Sequence, residues 1–363
     1  MAGCLTDARL GTIPHLARWL PKSPIATTSP VKSGLGEGLR ISIVREKWRV
    51  IRPVFKLFKP KIEQGWLSVV IGEKRVDLAH IRRERDARPV LLLADSIEKS
   101  GDEATMLGAL KKPMHLDRYR CTALLGHGKY QLIQTEAIDA AVDEAREMMR
   151  WKLKDQVEFP VDNAVVDLLP IPSGGRTTQV FAAIAPERSV APLVQAFQSA
   201  GLALSAVDLP EMSQRNLAAL FENGSMGLAT LIFDDNEGLL TFTAKGELLV
   251  ARHVEISARQ LLAADELRRT ALFERIALDV QRSLDNFDRL NSAIPLERLL
   301  VAPIPGLDGF IDHLKANLTI AVAPLDVASV IDFGRVPGMV DPVRRFQSLR
   351  ALGAALRDEP IAA

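Results

Sequence analysis

Residues 227–254 read GLATLIFDDNEGLLTFTAKGELLVARHV, and this stretch decides the fold. Two β-rich runs, 228–233 and 239–243, flank the polar turn Asp234-Asp235-Asn236-Glu237-Gly238, and a second tight turn at Lys245-Gly246 leads into a third run, 247–254. Apolar runs bounded by Asp, Asn and Gly predict an antiparallel meander. In a nucleotide-binding protein the first turn is where a backbone rich in Gly, Ser and Thr wraps phosphates. Here it carries Asp234, Asp235 and Glu237, which repel a polyphosphate unless a metal intervenes.

Working outward, the runs 66–71, 75–82 and 89–94 repeat the pattern, with Gly72 at the first turn. Two meanders about 160 residues apart predict an internal duplication and two lobes facing each other. Between them, 121–125 and 129–134 read as a hairpin around Gly126-His127-Gly128. Ile138, Val142, Ala145, Met149 and Leu153 then recur at helical spacing, with Thr135 as N-cap, Glu136 in the first turn and Pro160 as a stop. Met148 and Met149 read as core residues of that helix. Strands at 164–169, 179–185 and 202–208 and a helix over 187–200 ended by Gly201 make an α/β module. A helix over 210–222 follows, with Asn223-Gly224 after it. Leu272, Ile276, Val280, Leu284 and Phe287 mark one apolar face of a long helix opposite Arg275, Arg282 and Asp285. A strand at 299–302, a helix over 307–318, a strand at 319–323 and a terminal helix over 342–357 complete the chain.

Composition limits the classes open to it. The 363 residues suffice for two domains, 47% apolar and 25% charged residues are ordinary for a soluble globular protein, and a net charge of +1 makes no claim on nucleic acid. Cys4 and Cys121 show no CxxC spacing, which fits a reducing cytoplasm better than a disulfide framework or a zinc site. No apolar run reaches the roughly 18–20 residues that span a bilayer. From Arg40 to Lys61 eight basic residues and one acid, Glu46, interleave with Trp48, Phe55 and Phe58. This segment reads as a disordered extension, as a basic amphipathic patch for anionic lipid, or as upstream sequence if translation begins at Val54.

Motifs for chemistry are sparse. His15, His80, His115, His127, His253 and His313 are scattered without H-E-x-x-H or i, i+4 pairing, so the expectation is no metal site. No G-x-S-x-G elbow, Walker loop or G-x-G-x-x-G follows a predicted strand. Ser173-Gly174-Gly175 reads as a loop between strands, and Asp167, Asp208, Asp234 and Asp235 as strand-end turn formers, with no catalytic residue among them.

Four segments carry a resemblance. Residues 145–167 (AREMMRWKLKDQVEFPVDNAVVD), with Trp151-Lys152, Glu158-Phe159-Pro160 and Ala164-Val165-Val166-Asp167, resemble the PilM family of type IV pilus assembly proteins, and within it the MshI branch of MSHA (mannose-sensitive haemagglutinin) biogenesis. Residues 206–216 (AVDLPEMSQRN) resemble the family's lead into the helix before the second lobe, 280–287 (VQRSLDNF) its helix before the final strand, and 54–66 (VFKLFKPKIEQGW) its N-terminus. Together these cover roughly 54–335. The resemblance implies an α/β, actin-like (FtsA-type) bilobal fold with a small inserted α/β subdomain. Its expected layout is an extension over 1–62, a first lobe over 63–225 with the insertion at about 120–205, a second lobe over 226–335, and a C-terminal helix and tail over 336–363.

Family members that bind ATP do so through three backbone loops, and each is altered here. In the first, Val70 stands at the acidic position that holds hydrated Mg²⁺, beside Ile71-Gly72; Glu73-Lys74-Arg75 replace small hydroxyl residues, and Asp77 replaces a lysine. In the second, Asp234 matches the acid but Asn236 stands at the glycine; in the third, Ala302-Pro303-Ile304 replaces a glycine run before Pro305-Gly306-Leu307. Lost glycines keep backbone away from phosphate, and proline removes an N–H donor. The resemblance therefore implies a vestigial cleft at Val70, Gly72, Asp234, Asn236 and Gly306, no cofactor and no enzymatic activity. It implies a cytoplasmic scaffold peripheral to the inner membrane through its partners, which are a PilN-like inner-membrane protein and the assembly ATPase complex. The related secretion-system component, the GspL cytoplasmic domain, is a close structural alternative to this scaffold. The functional alternative is an ATP-binding regulator or weak ATPase of pilus or type II secretion assembly with a remodelled site.

Overall fold

The computed structural model describes residues 62–84, 87–172 and 178–357. The basic segment 40–61, the start at Val54 and the Ser173-Gly174-Gly175 loop lie outside the described residues.

In chain order, β1 (Trp66–Ile71), β2 (Arg75–Arg82) and β3 (Val90–Glu98) form the first meander, followed by α1 (Glu103–Lys111) and β4 (Arg120–Leu124). Next come β5 (Gln131–Glu136), α2 (Val142–Lys152), β6 (Ala164–Ile171), β7 (Gln179–Pro186), α3 (Glu187–Ala200), β8 (Leu204–Asp208) and α4 (Pro210–Ala218). The second meander is β9 (Gly227–Phe233), β10 (Gly238–Ala244) and β11 (Glu247–Val254). It is followed by α5 (Ala258–Ala263), α6 (Glu266–Leu290), β12 (Leu296–Val301), α7 (Phe310–Asn317), β13 (Val322–Pro324) and α8 (Pro342–Ala355).

The duplication read from the two meanders is present in the topology. The first sheet has the order β3-β2-β1-β4-β8 and the second β11-β10-β9-β12-β13. In each, the first three strands are antiparallel neighbours, and the two added after them run parallel. Every residue of β9 and β10 is buried, as expected of strands covered on both faces. Lys245 and Gly246 both have positive φ, 55° and 75°, in the two-residue hairpin turn whose twist matches its strands. The stripe from Leu272 to Phe287 is the buried face of α6, whose N-terminus is capped by the Asp265 carboxylate accepting from Arg268 N at 2.9 Å.

Three local expectations are corrected. Residues 121–125 and 129–134 do not pair as a hairpin: β4 lies between β1 and β8, while β5 pairs with β7. Thr135 and Glu136 end β5 rather than opening a helix, and α2 starts only at Val142. Met149 is core, but Met148 is 47% exposed because it projects from the other face of α2. The third sheet, β5-β7-β6, covers α2 with a small apolar cluster of its own around Met149, Leu153, Ala182 and Ile184. It runs from Gln131 to Pro186, inside the 120–205 expected of the insertion, because β4 and β8 belong to the first lobe's sheet.

The lobes are joined by two helices that carry the chain across and back. From α4, Gln214 donates through Nε2 to Thr230 O and Leu239 O, tying that helix to the second sheet. Ala351 O on α8 accepts from Ser68 Oγ at 2.6 Å, which ties α8 to the first. Where the helices meet, Ser213 Oγ donates to Arg350 O at 2.7 Å and Asn216 Nδ2 to Gly353 O at 3.1 Å. A Cβ at Gly353 would stand 2.2 Å from Ser213 O, so only glycine permits this approach. An apolar cluster drawn from both lobes, including Ile81, Leu91, Leu228, Leu300 and Leu352, surrounds the crossing.

Gly353→Ala is accordingly expected to cost about 1–3 kcal/mol of stability, read as a lowered Tm. Gly108→Ala, at an open position of α1, is expected instead to add about 0.5–1 kcal/mol. Equal effects of the two substitutions would remove the crossing from its special place.

Candidate functional site

The duplicated meanders place two equivalent turns opposite each other. Residues 72–75 connect the paired Ile71 and Val76, and residues 234–237 connect the paired Phe233 and Gly238. Between them lies a cavity of about 740 Å³, floored by residues of α8 such as Phe346 and Arg350. Val70, Gly72, Asp234 and Asn236 line it, so four of the five cleft positions read from sequence come together. Gly306 does not line it. That residue holds a φ of +81° in the loop after β12, where the nearest neighbour to a Cβ would be the Leu262 side chain at 3.7 Å.

The turns spend their own polarity. Asp234 Oδ1 accepts from Asn236 N at 2.8 Å and Glu237 N at 2.9 Å, so the amides of this turn point at a resident carboxylate. Its Oδ2 pairs with Arg350 at 2.7 Å. Across the cleft, Arg75 joins Asp77 at 3.0 Å to Asp235 at 2.9 Å, a bridge from one lobe's turn to the other's. Burial raises the Asp77 carboxyl above its usual range, against the Ser96 hydroxyl and Arg75, which lower it. The acids that looked poised to repel phosphate or hold a metal are thus met by two arginines. Gly72 closes the first turn by donating to Arg75 O at 2.9 Å, so this amide too is spoken for.

Deeper in the cleft the structure assembles side chains that no sequence spacing connects. His253, near the end of β11, sits between two carboxylates: Nδ1 is 2.9 Å from Glu237 Oε2, and Nε2 is 3.1 Å from Glu211 Oε1. Glu211, in the first turn of α4, is fully buried and accepts from the Tyr130 hydroxyl at 2.5 Å. His127, from the connection after β4, lies with Nδ1 3.3 Å from Glu237 Oε2 and its ring 4.2 Å from that of His253. Burial works to lower the His253 pKa, but the hydrogen bonds and charges of Glu211 and Glu237 outweigh it and lift it to about 9. Glu237 is likewise held low, burial being outweighed by His253, His127 and Arg350. Tyr130 is pushed well above its ordinary value by burial and by the neighbouring Glu211. His253 is therefore an imidazolium at neutral pH and donates from both nitrogens. The one sequence signal for this cluster was a pair of histidines beside strand ends.

No protein-family model matches the sequence, and no curated protein matches it. Solved structures do. A chain of the PilM-PilN type IV pilus biogenesis complex is 19% identical with a TM-score of 0.64, over 82% of this chain and 99% of that one. The cytoplasmic domain of EpsL, an inner-membrane component of the Vibrio cholerae type II secretion system, is 14% identical with a TM-score of 0.42, over 74% and 92%. EutJ, an ethanolamine utilization protein from Carboxydothermus hydrogenoformans, is 11% identical with a TM-score of 0.43, over 83% and 92%. The fold is actin-like, of the PilM type. Among the described residues no helix of this PilM-like body is long and apolar enough to cross a membrane.

The His253 cluster gives this PilM-like cleft a pH signature. The folded value of about 9 lies above the ordinary 6.5, so the stability the imidazolium contributes is complete below pH 6.5 and disappears as pH rises through about 9. Glu237 stays ionised across that window; Glu211 and His127 also face the ring, while Tyr130 and Arg350 contact the carboxylates of Glu211 and Glu237 that hold it. Thermal melts in EDTA-containing buffer should show the wild type's advantage over His253→Gln shrinking between pH 6.5 and 9.5. An advantage independent of pH would contradict the charged assignment.

Proposed function

We propose that this protein is a cytoplasmic scaffold of a type IV pilus assembly platform, of the MSHA kind and related to MshI. In this reading it docks the cytoplasmic peptide of a PilN-like inner-membrane partner and stays at the membrane through that partner, with the assembly ATPase complex as a further partner. The observation that carries the reading is the match over 99% of a chain of the PilM-PilN type IV pilus biogenesis complex. The segments 145–167, 206–216 and 280–287, which resemble the PilM family, lie on α2–β6, β8–α4 and α6, elements distributed over the whole body rather than one module.

The same reading holds the interlobe cleft to be without a nucleotide role. Support comes from Asp234, whose carboxylate already takes the turn's amides, and from the Arg75–Asp235 bridge that ties the two opposed turns together. Val70 offers no carboxylate for Mg²⁺. A body of this kind works by its surfaces, and an extended or helical peptide docks there through apolar pockets plus backbone hydrogen bonds.

Two measurements test this. The full chain should bind, saturably, the cytoplasmic N-terminal peptide of a PilN-like protein of the same organism, and should co-purify with that protein from detergent-solubilised membranes; failure of both overturns the platform reading. Mg·ATP at about 1 mM should leave Tm unchanged, since a site with a Kd of about 10 μM would add about 2.7 kcal/mol under those conditions. A clear rise in Tm would instead support the ATP-dependent regulator.

A further inference from the structure

We propose that His127, His253 and Glu237 form a binding site for a divalent transition-metal ion of the zinc class, placed so that the ion ties the two lobes together. The three side chains offer two imidazole nitrogens and one carboxylate oxygen, all within 4.8 Å of one another. His253 Nδ1 and His127 Nδ1 both converge on Glu237 Oε2, at 2.9 and 3.3 Å. Bonds of about 2.0–2.1 Å to a tetrahedral ion set ligand atoms roughly 3.3 Å apart, so the three donors are close to ligating distance already. His127 is more than half exposed and has room to turn toward the ion.

The surroundings supply what a working site needs beyond its ligands. Glu211 faces the other nitrogen of His253 at 3.1 Å, which orients the ring and reserves Nδ1 for the metal. Tyr130 in turn fixes Glu211 by donating to its second oxygen at 2.5 Å, and both groups are buried. Arg350 is the neighbouring cation. Its shorter contact, 2.7 Å, is with Asp234, and its 3.4 Å approach is to Oε1 of Glu237, leaving Oε2 for the ion. When the ion enters, the proton on His253 Nδ1 leaves to solvent and the metal takes its place between Nδ1 and Glu237, while Nε2–H keeps donating to Glu211. Two imidazoles and one carboxylate suit zinc-class ions rather than Mg²⁺ or Ca²⁺, and three protein ligands leave a fourth position open toward the cavity.

The placement has a mechanical meaning. His127 comes from the first lobe's β4–β5 connection, whereas Glu237 and His253 come from the second lobe's meander. An ion held by all three spans the cleft beside the Arg75–Asp235 bridge and fixes the lobes in one relation. The inference does not depend on the pilus reading, since its test uses only this chain and a metal salt.

The full-length protein, freed of metal by chelator and dialysed, is titrated with Zn²⁺ by calorimetry and with Co²⁺ by visible absorption. One saturable Zn²⁺ site, Co²⁺ ligand-field bands and a Zn²⁺-dependent rise in Tm are expected. His127→Ala, at an exposed side chain, should keep the fold and weaken Zn²⁺ by at least about tenfold, abolishing the Tm rise. Glu211→Gln should lower affinity about 10–100-fold while keeping the Co²⁺ bands. Absence of saturable Zn²⁺ binding by the wild type, or undiminished affinity in either His127→Ala or His253→Gln, overturns the proposal.

Discussion

Everything in this molecule turns on the contact between α4 and α8, where the main chain of Gly353 lies directly against Ser213. The chain leaves the first sheet on α4 and returns to it on α8, so the two helices are the shared floor of both lobes. Because no side chain separates them, the lobes approach closely enough for residues of different sheets to reach one another above the crossing. Glu211 projects from one of these helices to His253 on β11, and Arg350 from the other to Asp234 and Glu237 of the second lobe's turn. A wider crossing would move both and dissolve the polar cluster, so backbone packing sets the site's chemistry. The apolar cluster around the crossing draws on both sheets, so the lobes share a core rather than merely touching.

Above that floor, the cleft keeps the geometry of two opposed turns while its polar groups look inward. A phosphate-binding turn works by leaving amides free and acids few. Here Asp234 folds back on its own turn's amides, and the excess of negative charge is matched by Arg75 and Arg350. The result is a cleft of considerable volume whose acids are paired with Arg75 and Arg350, with the His253 imidazolium held between Glu211 and Glu237.

Sequence patterns revealed the repeated meander because alternating apolar runs and turn residues are local, and the strands they specify carry most of their information within themselves. The same holds for α6, whose stripe from Leu272 to Phe287 needs no partner to be recognised. The hairpin expected around His127 fails for a non-local reason: Cys121 to Leu124 is buried between two parallel strands brought from far along the chain, and apolar runs do not announce which neighbour they choose. The early start expected of α2 fails similarly, because Thr135 is as acceptable at a strand end as at a helix cap. The cleft turns were legible from Gly72 and Asp234, but Gly306 was not, since the loop after β12 leads elsewhere. The histidine cluster could not be found at all by spacing. His127, Glu211, Glu237 and His253 become neighbours only after both sheets and the crossing helices exist.

The bridge from Arg75 to Asp235 has a consequence for how such a body responds to its surroundings. Both partners are partly open to water, so the pair is worth no more than about 1 kcal/mol and weakens as the Debye length shortens. The bridge across the cleft therefore weakens as salt rises, while the shared core around α4 and α8 holds the lobes together whatever the medium.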